Sequence, residues 1–122
     1  DVCPTTMAEI ASWRQVLNVS PDQLRTIFVT VDPDRDTIPV LKDYLEGFDP
    51  SVIGLVGDAD QTTAVKSAFG ASSEKVGDGE FYLVNHTASV FLLDRNGSFQ
   101  GTISYGEDRN SALAKIKRLI GG

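Results

Sequence analysis

The stretch Thr26-Ile-Phe-Val-Thr-Val-Asp-Pro-Asp-Arg-Asp36 decides the fold class of this chain. Residues 26–31 are β-branched and almost continuously apolar, which is typical of a strand buried in a parallel sheet. The polar loop 32–36 follows the carboxyl end of that strand, and the binding sites of open α/β sheets collect at this edge. The sequence therefore predicts an α/β fold with a site near the loop.

The chain ahead of this strand is predicted to be helical. Thr6 and Glu9 fit a capping box, in which Thr6 caps a helix that runs to about residue 18. Cys3 would then lie in the loop just before the helix. The helix dipole and the free N–H groups at that position favour a thiolate over a thiol.

Strand-like and helical segments alternate after the first strand. The predicted strands are residues 51–56, 81–84, 88–93 and 99–103, and a turn is expected at residues 94–97. Helices are expected after a cap at Asp36 or Thr37, after a cap at Asp58 or Asp60 and ending at Gly70, and from about residue 108 to 120. The residues expected to face inward are Met7, Ile10, Trp13 or Arg14, Leu17, Ile38, Leu41, Leu45, Phe48, Val65, Ala68, Phe69, Leu113, Ile116 and Ile120.

A polar, Gly-rich segment at residues 71–80 predicts a mobile loop. The resulting order, α-β-α-β-α-ββ-α, predicts one layered α/β domain over residues 1–122. The pattern contains no internal repeat and no linker, and no strand precedes the first helix.

Composition limits the classes of function. Seventeen acidic residues against eleven basic ones give a net charge of −6 at pH 7, so the chain lacks the basic surface that binds nucleic acid. Its apolar runs are all shorter than the roughly 20 residues that span a bilayer. Because neither a signal peptide nor an initiator Met is present, we expect a trimmed product whose export signal or membrane anchor has been lost.

The only cysteine and the only histidine are the candidate metal ligands. Taken singly, Cys3 is most simply a small buried residue, and His86 is most simply a structural histidine. A metal site requires that the two side chains meet in space.

Five segments of the chain resemble the Sco/SenC family, whose members are thioredoxin-like copper-binding factors that assemble the copper centre of cytochrome c oxidase. The segments are Val29-Thr-Val-Asp-Pro-Asp-Arg-Asp-Thr37, Val40-Leu-Lys-Asp-Tyr44, Ile53-Gly-Leu-Val-Gly57, Tyr82-Leu-Val-Asn-His-Thr87 and Phe91-Leu-Leu-Asp-Arg-Asn-Gly-Ser-Phe99. The resemblance covers essentially the whole chain in order. It implies a thioredoxin-like three-layer α/β/α sandwich, here lacking its N-terminal central strand through truncation.

In that family a Cys-x-x-x-Cys-Pro segment and a distant Val-Asp-His supply three metal ligands. Cys3 matches the second cysteine, and His86 matches the histidine, with Asn85 in place of the usual Asp. The first cysteine would lie two residues before Asp1, outside the sequence. Two thiolates and one imidazole suit Cu(I) and can hold Cu(II), whereas zinc prefers a fourth ligand. The resemblance thus implies a copper site in the intact protein and weak or no specific copper binding by residues 1–122.

Two further residues are expected beside the site rather than as ligands. Asp36 is interpreted as a carboxylate that supports a ligand or faces a partner. Asp32 and Asp34 are more simply parts of a solvated turn. Asn85, in place of Asp, is compatible either with a retuned metal site or with lost redox function.

Three functions are left open. The first is a metallochaperone that passes copper by ligand exchange to the copper-centre subunit of cytochrome c oxidase or to another copper donor or acceptor protein, and an acidic surface would suit a basic partner. The second is a thiol-disulfide oxidoreductase, which a cysteine before a helix permits. The third is a non-catalytic thioredoxin-like interaction domain. The first implies an extracytoplasmic, membrane-anchored protein, on the bacterial periplasmic side rather than in the mitochondrial intermembrane space.

Overall fold

The structure is a computed structural model of the chain and describes residues 2–71, 73–76, 83–86 and 89–121. Within these residues the elements, in chain order, are α1 Val2–Leu17, β1 Ile27–Val29, α2 Ile38–Glu46, β2 Ile53–Leu55, α3 Ala59–Phe69, β3 Ser73–Val76, β4 Leu83–His86, β5 Ser89–Leu93, β6 Phe99–Ser104 and α4 Arg109–Gly121. Helices in the described ranges all lack the length and apolar character needed to cross a membrane.

Internal contacts divide the chain into two compact units. The terminal unit comprises Asp1–Arg25 and Ala88–Gly122, and the central unit comprises Thr26–Thr87. The terminal unit holds α1, α4 and the β5–β6 hairpin. The central unit holds α2, α3 and the strand pairs β1–β2 and β3–β4. Each unit is described by itself below.

Helix α1 begins earlier than the sequence predicts. It starts at Val2, so Thr6 lies inside the helix and the predicted capping box with Glu9 is wrong. Cys3 consequently lies in the first helical turn, not in a preceding loop. Pro4 is tolerated there, because the N–H groups of a first turn have no partner within the helix.

The core of the terminal unit lies where α1, α4 and the hairpin meet. Its buried members are Trp13, Leu92, Ile103, Ala112 and Ile116. The predicted inward positions of Trp13 and Ile116 are confirmed, and Met7 is also buried. Ala112 has no exposed surface, and its small side chain allows α4 to pack closely on this core.

The hairpin turn is as predicted. Strands β5 and β6 pair antiparallel, with a bulge between Leu92 and Leu93. Asp94 Oδ1 accepts hydrogen bonds from the backbone N–H groups of Asn96 and Ser98, both at 2.9 Å. Gly97 supplies the positive φ of 79° that completes the turn.

A charged cluster joins the end of the hairpin to α4. Lys115 Nζ donates to Glu107 Oε1 at 3.0 Å and to the Thr102 carbonyl at 2.7 Å. The Ser104 backbone N–H and the Ser111 hydroxyl also donate to the Glu107 carboxylate, at 3.1 and 2.9 Å. The hydrogen bond from Lys115, followed by that from Ser104, lowers the pKa of Glu107 from its ordinary 4.5 to about 2.

This cluster predicts a specific acid sensitivity. Because the pKa of Glu107 is lower in the folded chain, its ionised form stabilises the fold above about pH 4.5, and this contribution is lost as the pH falls towards about 2. Glu107→Gln should therefore flatten the pH dependence of the urea midpoint in that window. Glu46→Gln, at an exposed glutamate of α2, is the matched control. Identical pH profiles for the two variants would contradict the role of Glu107.

In the central unit, β1 and β2 form the predicted parallel pair, but both strands are short. Ile27 lies opposite Ile53, and Val29 lies opposite Leu55. The expected burial of the first strand is wrong for Ile27, which is 54% exposed. Within the described residues β1 and β2 form a two-stranded sheet, and α2 packs against β2.

Helix α2 rests on β2 through two leucines. Leu41 and Leu45 are each 3% exposed, as their apolar periodicity predicts. The predicted inward position of Ile38, in the first turn beside the loop, is wrong, because this residue is exposed. Phe48 follows the end of the helix and is half-buried, so it does not belong to the helical stripe. The Phe48 ring instead lies edge-on to Tyr44, with 5.2 Å between ring centroids.

Helix α3 has the predicted boundaries but not the predicted inward face. Asp58 and Gln61 form a reciprocal capping box, and Gly70 ends the helix in the left-handed conformation. Thr62 is its buried residue, whereas Ala68 and Phe69 are exposed, which contradicts the expected apolar stripe. A cap indicates where a helix begins, but it does not indicate which face of the helix is buried.

Part of the segment predicted as a loop is a strand. Ser73–Val76 forms β3, which pairs antiparallel with Leu83–His86, so the loop prediction for residues 71–80 is wrong there. The sequence did not predict this strand, because two strands can pair through backbone hydrogen bonds without a pattern of apolar side chains. Residues 83 and 84 of the predicted strand 81–84 lie in β4, which continues to His86. Residues 77–82, 87 and 88 lie outside the described residues.

Gly54 is required where α2 crosses β2. A Cβ at this position would lie 2.8 Å from Leu45 Cδ1 and 2.9 Å from Leu41 Cδ2. We expect Gly54→Ala to lower the free energy of unfolding by about 1–3 kcal/mol through overpacking. Gly47→Ala is the control, because its Cβ would come no closer than 3.4 Å and its φ is −67°. Urea denaturation that shows equal stability for both variants would contradict this packing.

Candidate functional site

The two predicted ligands lie at the ends of different elements. Cys3 is in the first turn of α1, in the terminal unit. His86 is the last residue of β4 in the central unit, and its Cα partner across the strand pair is Ser73. Asn85 precedes it, opposite Glu74. The meeting of Cys3 with His86 stays a prediction.

The first-turn position of Cys3 has the same electrostatic effect that was predicted for a loop position just before the helix. The N–H groups of a first helical turn have no intrahelical acceptors, and the helix dipole places partial positive charge there. Both effects stabilise a thiolate, which is the form of cysteine that binds metal or attacks a disulfide. The helix extends further towards the N-terminus than predicted, but Cys3 is still at its positive end.

The loop after β1 is held by a hydrogen-bond network centred on Thr30. The Thr30 hydroxyl donates to Asp36 Oδ2 at 2.5 Å and accepts from the Asp32 N–H at 3.0 Å. The Asp36 N–H donates to the Asp32 carbonyl at 2.9 Å, which closes the loop on itself. Thr30 is 2% exposed, so this network is anchored inside the central unit.

Asp32 is not the solvated turn residue that the sequence predicts. It is 8% exposed, and its Oδ2 accepts a hydrogen bond of 2.7 Å from Arg35 Nε. A buried carboxylate needs such a partner, because removing an unpaired charge from water is costly. Asp34 is exposed, as expected of a turn. Of the two predicted caps of α2, Thr37 occupies the N-cap position, but its side chain makes no capping hydrogen bond. The Asp36 side chain accepts a hydrogen bond from Thr30 instead.

The loop positions groups rather than forming a metal site by itself. In the part of the chain that the structure describes, no group of three or more His, Cys, Asp or Glu residues is arranged to hold a metal ion. The Asp32 and Asp36 carboxylates are engaged with Arg35 and Thr30. They lie at the carboxyl end of β1, where Thr30 N–H donates to the Leu55 carbonyl at 3.2 Å. The network therefore fixes the Asp32 and Asp36 carboxylates at the carboxyl end of β1.

Thr30 is the residue of this network that sequence reasoning missed. It stands inside an apolar run, between Val29 and Val31, and directly ahead of the acidic loop. A hydroxyl in an otherwise apolar strand is a signal in itself, because a buried polar group needs a hydrogen-bond partner. That signal predicts an interaction with the loop, although not with which carboxylate.

Solved structures identify the class of fold. A copper-bound ScoI from Bradyrhizobium japonicum matches with a TM-score of 0.86 at 35% identity, and the match covers 98% of this chain and 76% of that one. Copper-bound yeast Sco1 matches with a TM-score of 0.83 at 28% identity, over 100% of this chain and 70% of that one. The predicted fold class is confirmed: the chain has the thioredoxin-like α/β fold of the Sco proteins.

Sequence comparison then identifies the family. The SCO1/SenC family matches residues 1–121. The mitochondrial protein SCO2 of Saccharomyces cerevisiae is 32% identical over 124 residues, covering 98% of this chain and 41% of that protein. A SCO2-like protein of Rickettsia felis is 34% identical over 102 residues, covering 81% of this chain and 50% of that protein. The chain belongs to the SCO1/SenC family and spans half or less of the length of these relatives.

The network around Thr30 predicts a measurable loss of stability. Thr30→Val keeps the shape of the side chain but leaves the Asp32 N–H and the Asp36 carboxylate without their shared partner. We expect it to lower the free energy of unfolding by about 1–3 kcal/mol in urea denaturation. Thr63→Val, at an exposed threonine of α3, is the matched control and should change stability little. A Thr30→Val variant as stable as the control would show that the network is unimportant.

Proposed function

We propose that this protein is a copper metallochaperone that aids assembly of the copper centre of cytochrome c oxidase. The observation that carries the proposal is the SCO1/SenC match over residues 1–121, with solved relatives that hold copper. Cys3, which is followed by a proline, and His86 match the ligand pattern of this family. That correspondence supports their assignment as copper ligands.

The chemistry of the donor set favours copper. Thiolate and imidazole are the ligands that suit Cu(I), and together they can also hold Cu(II). The proposal requires a third ligand, the cysteine that the family pattern puts two residues before Asp1. The loop carboxylates are hard oxygen donors engaged with Thr30 and Arg35, and we assign them no copper.

Transfer would proceed by ligand exchange. Three ligands leave copper open to an incoming donor, so a thiolate or imidazole of the acceptor can bind before one of the three leaves. A first-turn position favours a thiolate in general, and a thiolate is the form of cysteine that binds metal. His86 would bind copper as the neutral imidazole, because only that form coordinates metal.

Asp36 and Asn85 have supporting roles in this proposal. Asp36 is fixed by Thr30 at the carboxyl end of β1, where it would orient a ligand or face the acceptor. Asn85 adjoins His86 along β4 and places a neutral amide where the family pattern has a carboxylate. A neutral neighbour stabilises a positively charged site less than a carboxylate does, which would retune the affinity for Cu(II) more than that for Cu(I).

The proposed partner is the copper-centre subunit of the oxidase, or a protein that donates copper to this one. The proposed location is the outer side of a membrane, with the chain tethered by an anchor. Named relatives come from Rickettsia and from yeast mitochondria. We place this protein on the bacterial periplasmic side.

The test uses the full-length encoded protein, including the residues before Asp1. Competition with a Cu(I) chelator should show tight binding that Cys3→Ser and His86→Ala each weaken. Loss of a ligand should exceed the roughly 10–100-fold that loss of an outer-sphere partner costs, and Asp36→Asn should stay within that range. Met7→Leu, which removes the remaining sulfur side chain of the 122 residues, should have no effect. Unchanged affinity in His86→Ala would contradict the proposed site.

Thiol-disulfide exchange is the second candidate, supported by the first-turn position of Cys3. It predicts turnover of a dithiol or disulfide substrate without copper, and His86 has no role in it. Copper-independent turnover by His86→Ala, with loss of activity in Cys3→Ser, would favour this candidate over copper transfer.

A further inference from the structure

The outer edge of β2 is open within the described residues. The Ile53 N–H donates to the Thr26 carbonyl at 2.9 Å, and the Leu55 carbonyl accepts from the Thr30 N–H at 3.2 Å. Residues 53 and 55 therefore direct their backbone groups towards β1. Because successive residues of a strand face opposite neighbours, Gly54 presents its N–H and C=O to the other edge. Among the described strands β1 alone pairs with β2.

A groove between α2 and β2 runs along this open edge. It has a volume of about 250 Å³, and its apolar lining includes Ile38, Leu45, Val52 and Val56. Drug-sized ligands need pockets of roughly 300–1,000 Å³ that enclose most of their surface, so an open groove of this size suits one or two side chains. Ile38 is 71% exposed at this groove, a large apolar surface to leave in water.

The charge of this unit indicates what kind of chain would bind. The central unit carries eleven acidic and four basic side chains, a formal charge of −7, whereas the terminal unit carries six acidic and seven basic ones. At the groove itself the charged residues are Lys42, Glu46 and Asp49. Asp49 bonds to Ser51, and Glu46 is exposed on the last turn of α2. A partner with cations flanking its apolar side chains complements this field.

We infer that the open edge of β2 and the α2–β2 groove form a docking site for an extended, basic segment of a partner protein. The segment would add as a strand beside β2, exchanging hydrogen bonds with the Gly54 N–H and C=O. Its alternate side chains would enter the groove beside Ile38, and a Lys or Arg next to them would lie near Glu46. This mode of recognition combines main-chain affinity with selectivity from the groove and its charge.

The test uses the copper-free chain, so its outcome is independent of the copper site. The probe is the acetylated, amidated pentapeptide Lys-Val-Thr-Val-Lys, titrated into 15N-labelled protein. We expect saturable shifts at the Gly54 and Val56 amides and slower hydrogen exchange at Gly54. The Glu-Val-Thr-Val-Glu peptide should bind more weakly, and a fully N-methylated basic peptide, which cannot donate backbone hydrogen bonds, should not bind there.

Charge variants on α2 provide the matched comparison. Glu46→Lys should weaken the basic peptide roughly two- to fivefold, the effect of one exposed charge pair. Asp43→Lys makes the same charge change on the same helix outside the groove lining and should weaken binding less. Equal weakening by both variants, no shift at Gly54, or slow Gly54 exchange before peptide is added would overturn the inference. Gly54 shifts that grow with protein concentration alone would show that a second copy, not a basic partner, occupies the edge.

Discussion

The hydrogen bond from Thr30 to Asp36 is the constraint on which the central unit's candidate surface depends. A hydroxyl that is almost fully buried must have partners, and Thr30 finds them in the Asp32 N–H and the Asp36 carboxylate. The loop is thereby fixed at the end of β1, where α2 begins. Arg35 neutralises Asp32, which is buried, and Asp36 is left as the carboxylate that this arrangement positions. The three aspartates of the loop thus have three different environments: Asp32 is paired with Arg35, Asp34 is exposed, and Asp36 bonds to Thr30.

Close packing of α2 on β2 is a second constraint on the central unit. Gly54 has no side chain, so Leu41 and Leu45 can approach β2 and hold α2 on the strand pair. The same glycine directs its backbone polar groups to an edge that no described strand covers. Gly54 therefore matters both for the packing of α2 and for the hydrogen-bonding groups at the open edge of β2. The net negative charge of the chain also lies in this unit, so a basic partner strand is favoured at its open edge.

Much of the fold could be predicted from the sequence, and the failures have physical causes. Apolar periodicity predicted the α2 leucines, and local chemistry predicted the cap and the end of α3 and the β5–β6 turn. The polar strand β3 was not predicted, because backbone pairing does not require a pattern of apolar side chains. The start of α1 was misplaced because a Ser or Thr followed by Glu three residues later also occurs inside helices. For the site, Cys3 and His86 stay predictions from residue types and the family resemblance. Thr30 was missed because its role depends on which carboxylate the loop brings to it.

The proposed function requires that Cys3 and His86 share one copper ion, although they lie far apart in sequence. X-ray absorption spectroscopy of the copper-loaded, full-length protein measures this most directly. We expect sulfur scatterers together with the multiple-scattering pattern of one imidazole. That pattern should disappear in His86→Ala, and the sulfur contribution should fall in Cys3→Ser. An oxygen-and-nitrogen shell without sulfur, or an imidazole pattern that persists in His86→Ala, would contradict it.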